Sequence, residues 1–169
     1  SVWKYLDTGA NAGTGWREPG FDDSLWKMGA AELGYGDGDE ITTVLYGPDA
    51  NNKYITTYFR RAFSVSDSLA FTNLSMWLRR DDGGVVYLNG TEVFRTPNMP
   101  AAPAAINFNT LATGAAAENA IDTTTLAANR LTTGANVAAV EIHQQAVNSS
   151  DISFDFELLG NPIPPPQPS

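Results

Sequence analysis

The chain has 169 residues, 43% of them hydrophobic, which suits one domain with a sizeable core. Ten basic against 19 acidic side chains give a formal net charge of −9, which argues against nucleic acid or an anionic membrane as partner. Uncharged polymers and cations such as calcium stay compatible with that charge. No cysteine is present, so disulfides and thiolate metal or redox chemistry are excluded, and a single histidine disfavours zinc.

Helix-favouring residues are scarce outside one Ala-rich stretch, while Thr, Val, Tyr, Phe and Gly are plentiful, which points to an all-β chain. No run is long and apolar enough to span a membrane, and no signal peptide is visible. The chain opens at Ser1-Val2 without a methionine, as expected of an excised piece or a mature form.

In chain order, Trp3-Lys4-Tyr5-Leu6 reads as an opening strand with Trp3 in the core, and residues 7–20, rich in Gly, Ala, Asn and Thr, as loop. Phe21-Asp22-Asp23-Ser24-Leu25-Trp26 reads as a tight turn or a single helical turn capped by Asp22, Asp23 or Ser24, its aromatic ends pinning the chain. Residues 31–52 form a long irregular excursion punctuated by Gly34, Gly36, Gly38, Gly47 and Pro48. Residues 54–65 are a strand in which Phe59, Arg61, Phe63 and Val65 alternate with Tyr58, Arg60, Ala62 and Ser64.

In the next strand Leu74, Met76 and Leu78 alternate with Ser75, Trp77 and Arg79, so an aliphatic face is buried and the other face carries tryptophan beside arginine. The run Asp81-Asp82-Gly83-Gly84 is expected to turn this strand into a hairpin with Val85-Val86-Tyr87-Leu88, and Asn89-Gly90 supplies a second turn. Residues 96–129 read as a long connection with short strands. Residues 137–143 and 152–158 are two strong strands, the latter with Ile152, Phe154, Phe156 and Leu158 on one face. Short strands separated by turn signals make a β-sandwich, with a jelly roll as the first choice of topology. Ile163-Pro164-Pro165-Pro166-Gln167-Pro168-Ser169 can form neither helix nor central strand, so the sandwich is expected over 1–161 and an extended linker over 162–169.

The series Trp16-Arg17, Phe21 to Trp26, Tyr58-Phe59-Arg60-Arg61-Ala62-Phe63, Val86-Tyr87-Leu88-Asn89-Gly90 and Asn136-Val137-Ala138-Ala139-Val140 resembles the galactose-binding-domain-like jelly roll. Carbohydrate-binding modules and the sugar-binding domains of bacterial β-galactosidases and β-glucuronidases show a similar series. The resemblance implies a non-catalytic module, monomeric, that holds a secreted bacterial polysaccharide-active enzyme on its substrate through a covalently linked catalytic domain. The same fold also serves as a structural or protein-docking module beside a secreted hydrolase or phosphoesterase. It often carries one structural calcium.

Two candidate ligand surfaces follow from the residues. Sugars stack an apolar face on aromatic rings and pair their hydroxyls with polar side chains. One surface combines Trp77, Arg79, Glu141, His143 and Gln145, provided their strands are neighbours. The bland alternative covers Trp77 and pairs Arg79 with Glu141 in a buried network. The second surface is the loop bearing Tyr35, Tyr46 and Tyr54. Glu141 and His143, two residues apart on one strand face, also raise acid/base hydrolysis as a third reading, without any accompanying nucleophile motif. For calcium the oxygen-rich candidates are Asp37, Asp39 and Asp82.

Overall fold

A computed structural model of the chain describes residues 1–118 and 120–165. It contains eleven strands among the described residues: β1 (Val2–Leu6), β2 (Lys27–Ala30), β3 (Leu33–Tyr35), β4 (Thr42–Thr43), β5 (Thr56–Val65), β6 (Phe71–Asp81), β7 (Gly83–Leu88), β8 (Thr91–Arg95), β9 (Ile121–Ala127), β10 (Gly134–His143) and β11 (Ile152–Pro162). They form two sheets, sheet A in the order β2-β1-β5-β10-β7-β8 and sheet B in the order β4-β3-β11-β6-β9. The all-β sandwich expected from composition and periodicity is therefore present.

The apolar faces meet between the sheets. Sheet A contributes Trp3, Phe59, Val86, Leu88, Val140 and Ile142, and sheet B contributes Leu33, Leu74, Met76, Leu78, Phe154 and Phe156, all buried. Phe59 stacks on Phe154 with ring centroids 4.0 Å apart, and Trp3 meets Phe154 edge-on at 5.0 Å. Each such side chain contributes roughly 1.5–3 kcal/mol by leaving water.

Asn89-Gly90 makes the expected two-residue turn, with φ of 49° and 83° joining Leu88 to its partner Thr91. Asp81-Asp82 does not make the expected hairpin. β6 pairs with β11 and β9 in sheet B, whereas β7 pairs with β10 and β8 in sheet A. The acidic turn is the corner by which the chain crosses from one sheet to the other. Arg80 secures that corner, with Nη1 donating to the Asp82 carbonyl at 2.7 Å and Nε paired with Asp122 at 2.7 Å.

The excursion over residues 31–52 hides the short strands β3 and β4, and the long connection after residue 96 contains β9. β11 runs past the expected domain end: Pro162 pairs with Phe71, and the Ile163 amide donates to the Ala70 carbonyl at 2.9 Å. Residues 166–169 of the expected linker lie outside the described residues.

The outer faces of the two sheets differ. Sheet A is roofed by residues 7–26 and 96–118, whose Trp16, Phe21, Trp26, Met99, Ile106, Phe108 and Ala112 pack on Tyr58, Val85, Tyr87, Val137 and Ala139. Trp16 lies 4.8 Å from the Tyr58 ring and 5.8 Å from the Tyr87 ring. Phe21 and Trp26 thus pin the roof as their spacing implies, through a turn in which the Ser24 amide donates to Asp22 Oδ1 at 3.0 Å. Arg60, also on this face, pairs with Asp23 at 3.0 Å and donates to the carbonyls of Trp16 and Glu18. On the outside of sheet B, by contrast, β9 and β11 present exposed side chains beside a partly buried row on β6.

Candidate functional site

Pairing register places Trp77 of β6 directly opposite Glu157 of β11 and Thr123 of β9. The row on one side holds Leu159, Ser75 and Thr125, and the row on the other holds Asp155, Arg79 and Ile121. Residues opposite one another in an antiparallel pair share a face. Alternation puts Leu74, Met76, Leu78, Phe154 and Phe156 on the core side, so this set is the outer side. Glu157, Thr123 and Thr125 are exposed, Trp77 is half-buried, and together with Ser75 and Leu159 they line one shallow groove. The groove offers a large apolar ring, three hydroxyls and a carboxylate on a flat, stiff support.

Arg79 belongs to this face but is engaged. Its Nη1 pairs with Glu32 Oε2 at 2.9 Å, and its guanidinium carbon sits 6.0 Å from the Trp77 ring centre. Asp155 stands opposite it on β11. Arg79 therefore anchors the edge of the groove, and the expected Arg79–Glu141 network does not exist.

Glu141 and His143 do not join Trp77. They lie on β10, on the outer side of sheet A, at the far side of the sandwich from Trp77. The sequence correctly sets them together and opposite Val140 and Ile142, but the roof seals them at 1% and 0% exposure. Glu141 accepts from the Tyr87 hydroxyl at 2.6 Å, meets Arg17 at 3.4 Å, and has His143 Nε2 at 3.3 Å. His143 Nδ1 faces the Thr110 carbonyl at 2.7 Å, so that nitrogen must be the donor, and the Thr56 hydroxyl lies 3.0 Å away. Burial alone would raise the Glu141 carboxyl. His143, Tyr87 and Arg17 outweigh burial and hold it below the ordinary carboxylate range. The group is a buried clamp between β10 and the roof, neither a ligand surface nor a dyad that substrate reaches.

Gln145 is also remote from Trp77. It follows β10, and its amide donates to Asp82 Oδ2 at 2.8 Å. The tyrosine surface is partly used up by packing. Tyr35 is buried, with its hydroxyl bonded to Gln144 and its ring 5.1 Å from Tyr46. Burial drives the Tyr35 hydroxyl well above its usual value. Tyr54 is half-buried against Gly9 and Gly47. Tyr46 alone of the three is exposed, with the Lys53 ammonium 5.5 Å from its ring.

The acidic residues separate into two roles. Asp82 accepts from the amides of Ala116 at 3.1 Å and Gln145 at 2.8 Å and from the Ser149 hydroxyl at 3.1 Å. It acts as a bracket for three loops and belongs to neither of the acidic groups that Asp37 joins. Asp37 does lie among acids: with Glu32 and Asp39 on one side, and with Glu118 and Asp151 on the other. The second group borders a cleft of about 470 Å³ lined by Asp81, Asp82, Glu118, Gln145 and Asp151. Gly36, at φ +112°, lets the loop after β3 come this close, since a Cβ there would sit 2.5 Å from that of Asp151. Burial, then the Asp151 and Glu118 charges, push the Asp37 carboxyl up to about 6 despite the Ser153 hydroxyl it accepts from. Burial, then a side-chain hydrogen bond with Asp82 and its charge, push the Asp81 carboxyl well above the ordinary carboxylate range. Glu118, which joins Asp37 and Asp151 in this cluster, was missed from sequence because it sits in a featureless loop.

No protein-family model matches the chain, and no curated protein sequence matches it. Solved structures do. A β-glucuronidase from glycoside hydrolase family 2 superposes with a TM-score of 0.51 at 15% identity, covering 84% of this chain and 13% of its own. The Bacteroides uniformis β-glucuronidase gives 0.54 at 14% identity, over 91% of this chain and 17% of its own. A glycosyl hydrolase family 2 member from Bacteroides cellulosilyticus gives 0.54 at 12% identity, over 92% and 20%. The chain thus spans a small fraction of the length of those enzymes. At such identities the likeness shows the fold alone, a two-sheet β-sandwich of the kind that occupies part of each of those glycosidase chains.

Proposed function

We propose that the domain is a non-catalytic carbohydrate-binding module of a secreted bacterial polysaccharide-active enzyme, and that its ligand lies across Trp77 on the outer face of sheet B. The observation that carries this reading is the shallow groove in which Trp77 stands between Glu157 and Thr123. An indole presented beside hydroxyls and a carboxylate fits a sugar ring, whose apolar face stacks while its hydroxyls are held at the side. The likeness to one domain of family 2 glycosidases supports attachment to a catalytic domain outside this chain. The groove is shallow, so the expected single-site affinity is on the order of micromolar to millimolar.

Charge selects among glycans. Asp155 and Glu157 flank Trp77, Arg79 is already paired with Glu32, and the whole chain carries −9. A neutral polysaccharide is therefore the fitting ligand, and a polyuronate is repelled. Nucleic acid and anionic membrane are not expected partners, and the module acts as a monomer.

Affinity electrophoresis through gels containing soluble neutral and anionic polysaccharides tests this. Retardation by a neutral polymer supports the proposal. Free migration through every gel would instead favour the second reading, a docking or spacer module that packs on its neighbouring domain.

A further inference from the structure

We infer that the slot between the two sheets beside Trp3 binds a small apolar carboxylic acid, with its ring or branched chain inside and its carboxylate on Arg61. The slot is a cavity of about 220 Å³ lined by Trp3, Arg61, Phe63, Ala138, Phe156 and Leu158. Arg61 of β5 stands directly opposite Ala138 of β10, a member of the inter-sheet core, so its side chain leaves sheet A on the core side. Trp3, Phe63, Phe156 and Leu158 belong to that core or pack against it. Ala138 offers only a methyl group where Val140, on the same face, offers a branched side chain, and the smaller residue leaves the space open.

Two unpartnered donors border this slot. The neighbouring Arg60 is engaged by Asp23 and by the carbonyls of Trp16 and Glu18. Arg61, by contrast, has neither an ion pair nor a hydrogen bond among the described residues. Exposed itself while lining the slot, it stands at the mouth. Trp3 is 1% exposed, and its indole N–H meets no acceptor among the described residues. A buried donor without a partner is costly, and an oxygen of the bound acid is the partner the slot can take in.

The charge and the size select the ligand class. A guanidinium at the mouth of an apolar cavity holds a carboxylate through paired N–H groups and gives a neutral or cationic head no such hold. The volume lies below the roughly 300–1,000 Å³ of sites for drug-sized ligands, so the ligand is a single ring or a short branched chain. Glu157 borders both this slot and the Trp77 groove, but Trp3 does not line the groove and Trp77 does not line the slot. The two tryptophans therefore report on the two sites separately, and the inference does not rest on glycan binding.

Titrating the 169-residue chain with hydrocinnamate, and separately with its neutral amide, while following the Trp3 indole N–H signal tests the slot. That signal is identified by its contacts with the Phe154 and Phe156 rings, 5.0 and 5.7 Å from the Trp3 ring. The acid is expected to move it downfield with a dissociation constant on the order of a millimolar, and to leave the Trp77 signal in place. The amide binds about tenfold more weakly, as does the acid to Arg61→Met, which keeps the apolar stem and loses the charge. Ala138→Val fills the slot and abolishes binding without touching the charge. Arg61 is exposed, so Arg61→Met keeps the fold and decides the matter even where Ala138→Val fails to fold. Three results overturn the site: a Trp3 signal that stays fixed at tens of millimolar acid, equal responses to acid and amide, or an Arg61→Met chain that binds the acid as the parent does.

Discussion

Trp77 on β6 and Glu157 on β11 stand directly opposite each other on the outer face of sheet B. In the proposed function this ring and exposed carboxylate, at cross-strand distance, set the plane of the ligand and hold its nearest hydroxyl. Glu157→Ala is expected to weaken glycan affinity about tenfold, the worth of roughly one charge-assisted hydrogen bond, as read by calorimetry. Its melting temperature should match the parent, because the side chain is exposed.

His143→Ala separates the buried clamp from the ligand face. It leaves the Glu141 carboxylate buried without its imidazole and frees the roof from its anchor at Thr110. The expected cost is about 3 kcal/mol in urea unfolding. Folded variant protein should bind glycan as the parent does, since the two sites lie on opposite sides of the sandwich.

The clamp also sets an acid limit. Glu141 is depressed in the folded state, so its contribution is present above the unfolded value of about 4.3 and is lost as pH falls through the lower folded value. Stability should therefore drop below about pH 4, and Glu141→Gln should flatten that part of the profile while lowering stability at neutral pH. Melting temperatures measured from pH 3 to 7 for both proteins check the sign.

Gly90 is the second turn residue of the β7–β8 hairpin at φ +83°, and an added Cβ would lie 2.2 Å from a Glu18 carboxylate oxygen. Gly90→Ala should cost about 1–2 kcal/mol, mostly from the left-handed backbone, because the Glu18 side chain can swing aside. Chemical denaturation of the variant measures it.

These sites show how far the sequence could be read. Period-two alternation assigned the inner faces of β6, β10 and β11 correctly, because Leu78, Ile142 and Phe154 each have one side to bury. Alternation also paired Glu141 with His143, yet parity says only that two residues share a face and not what covers it. The cover comes from residues 7–26 and 96–118, which have no period to read and are held by scattered apolar side chains such as Trp16 and Met99. Asp81-Asp82-Gly83-Gly84 misled for a related reason. The same turn chemistry serves a hairpin or a corner, and only the distant partners β11 and β10 decide between them. The surface combining Trp77 with Glu141 required neighbouring strands, and β6 and β10 belong to different sheets.

The most direct test of the Trp77 face is the set of four tryptophan indole N–H signals in a ¹⁵N–¹H spectrum, with the Trp77 signal assigned by its absence in Trp77→Phe. Trp3 and Trp16 are sealed at 1% and 0% exposure, so ligand contact can reach Trp77 without disturbing them. On titration with an oligosaccharide of the polymer that retards the protein, the Trp77 signal should move progressively while those of Trp3 and Trp16 stay fixed. A Trp77 signal that stays fixed while the protein demonstrably binds the sugar would contradict the account and move the ligand to another surface.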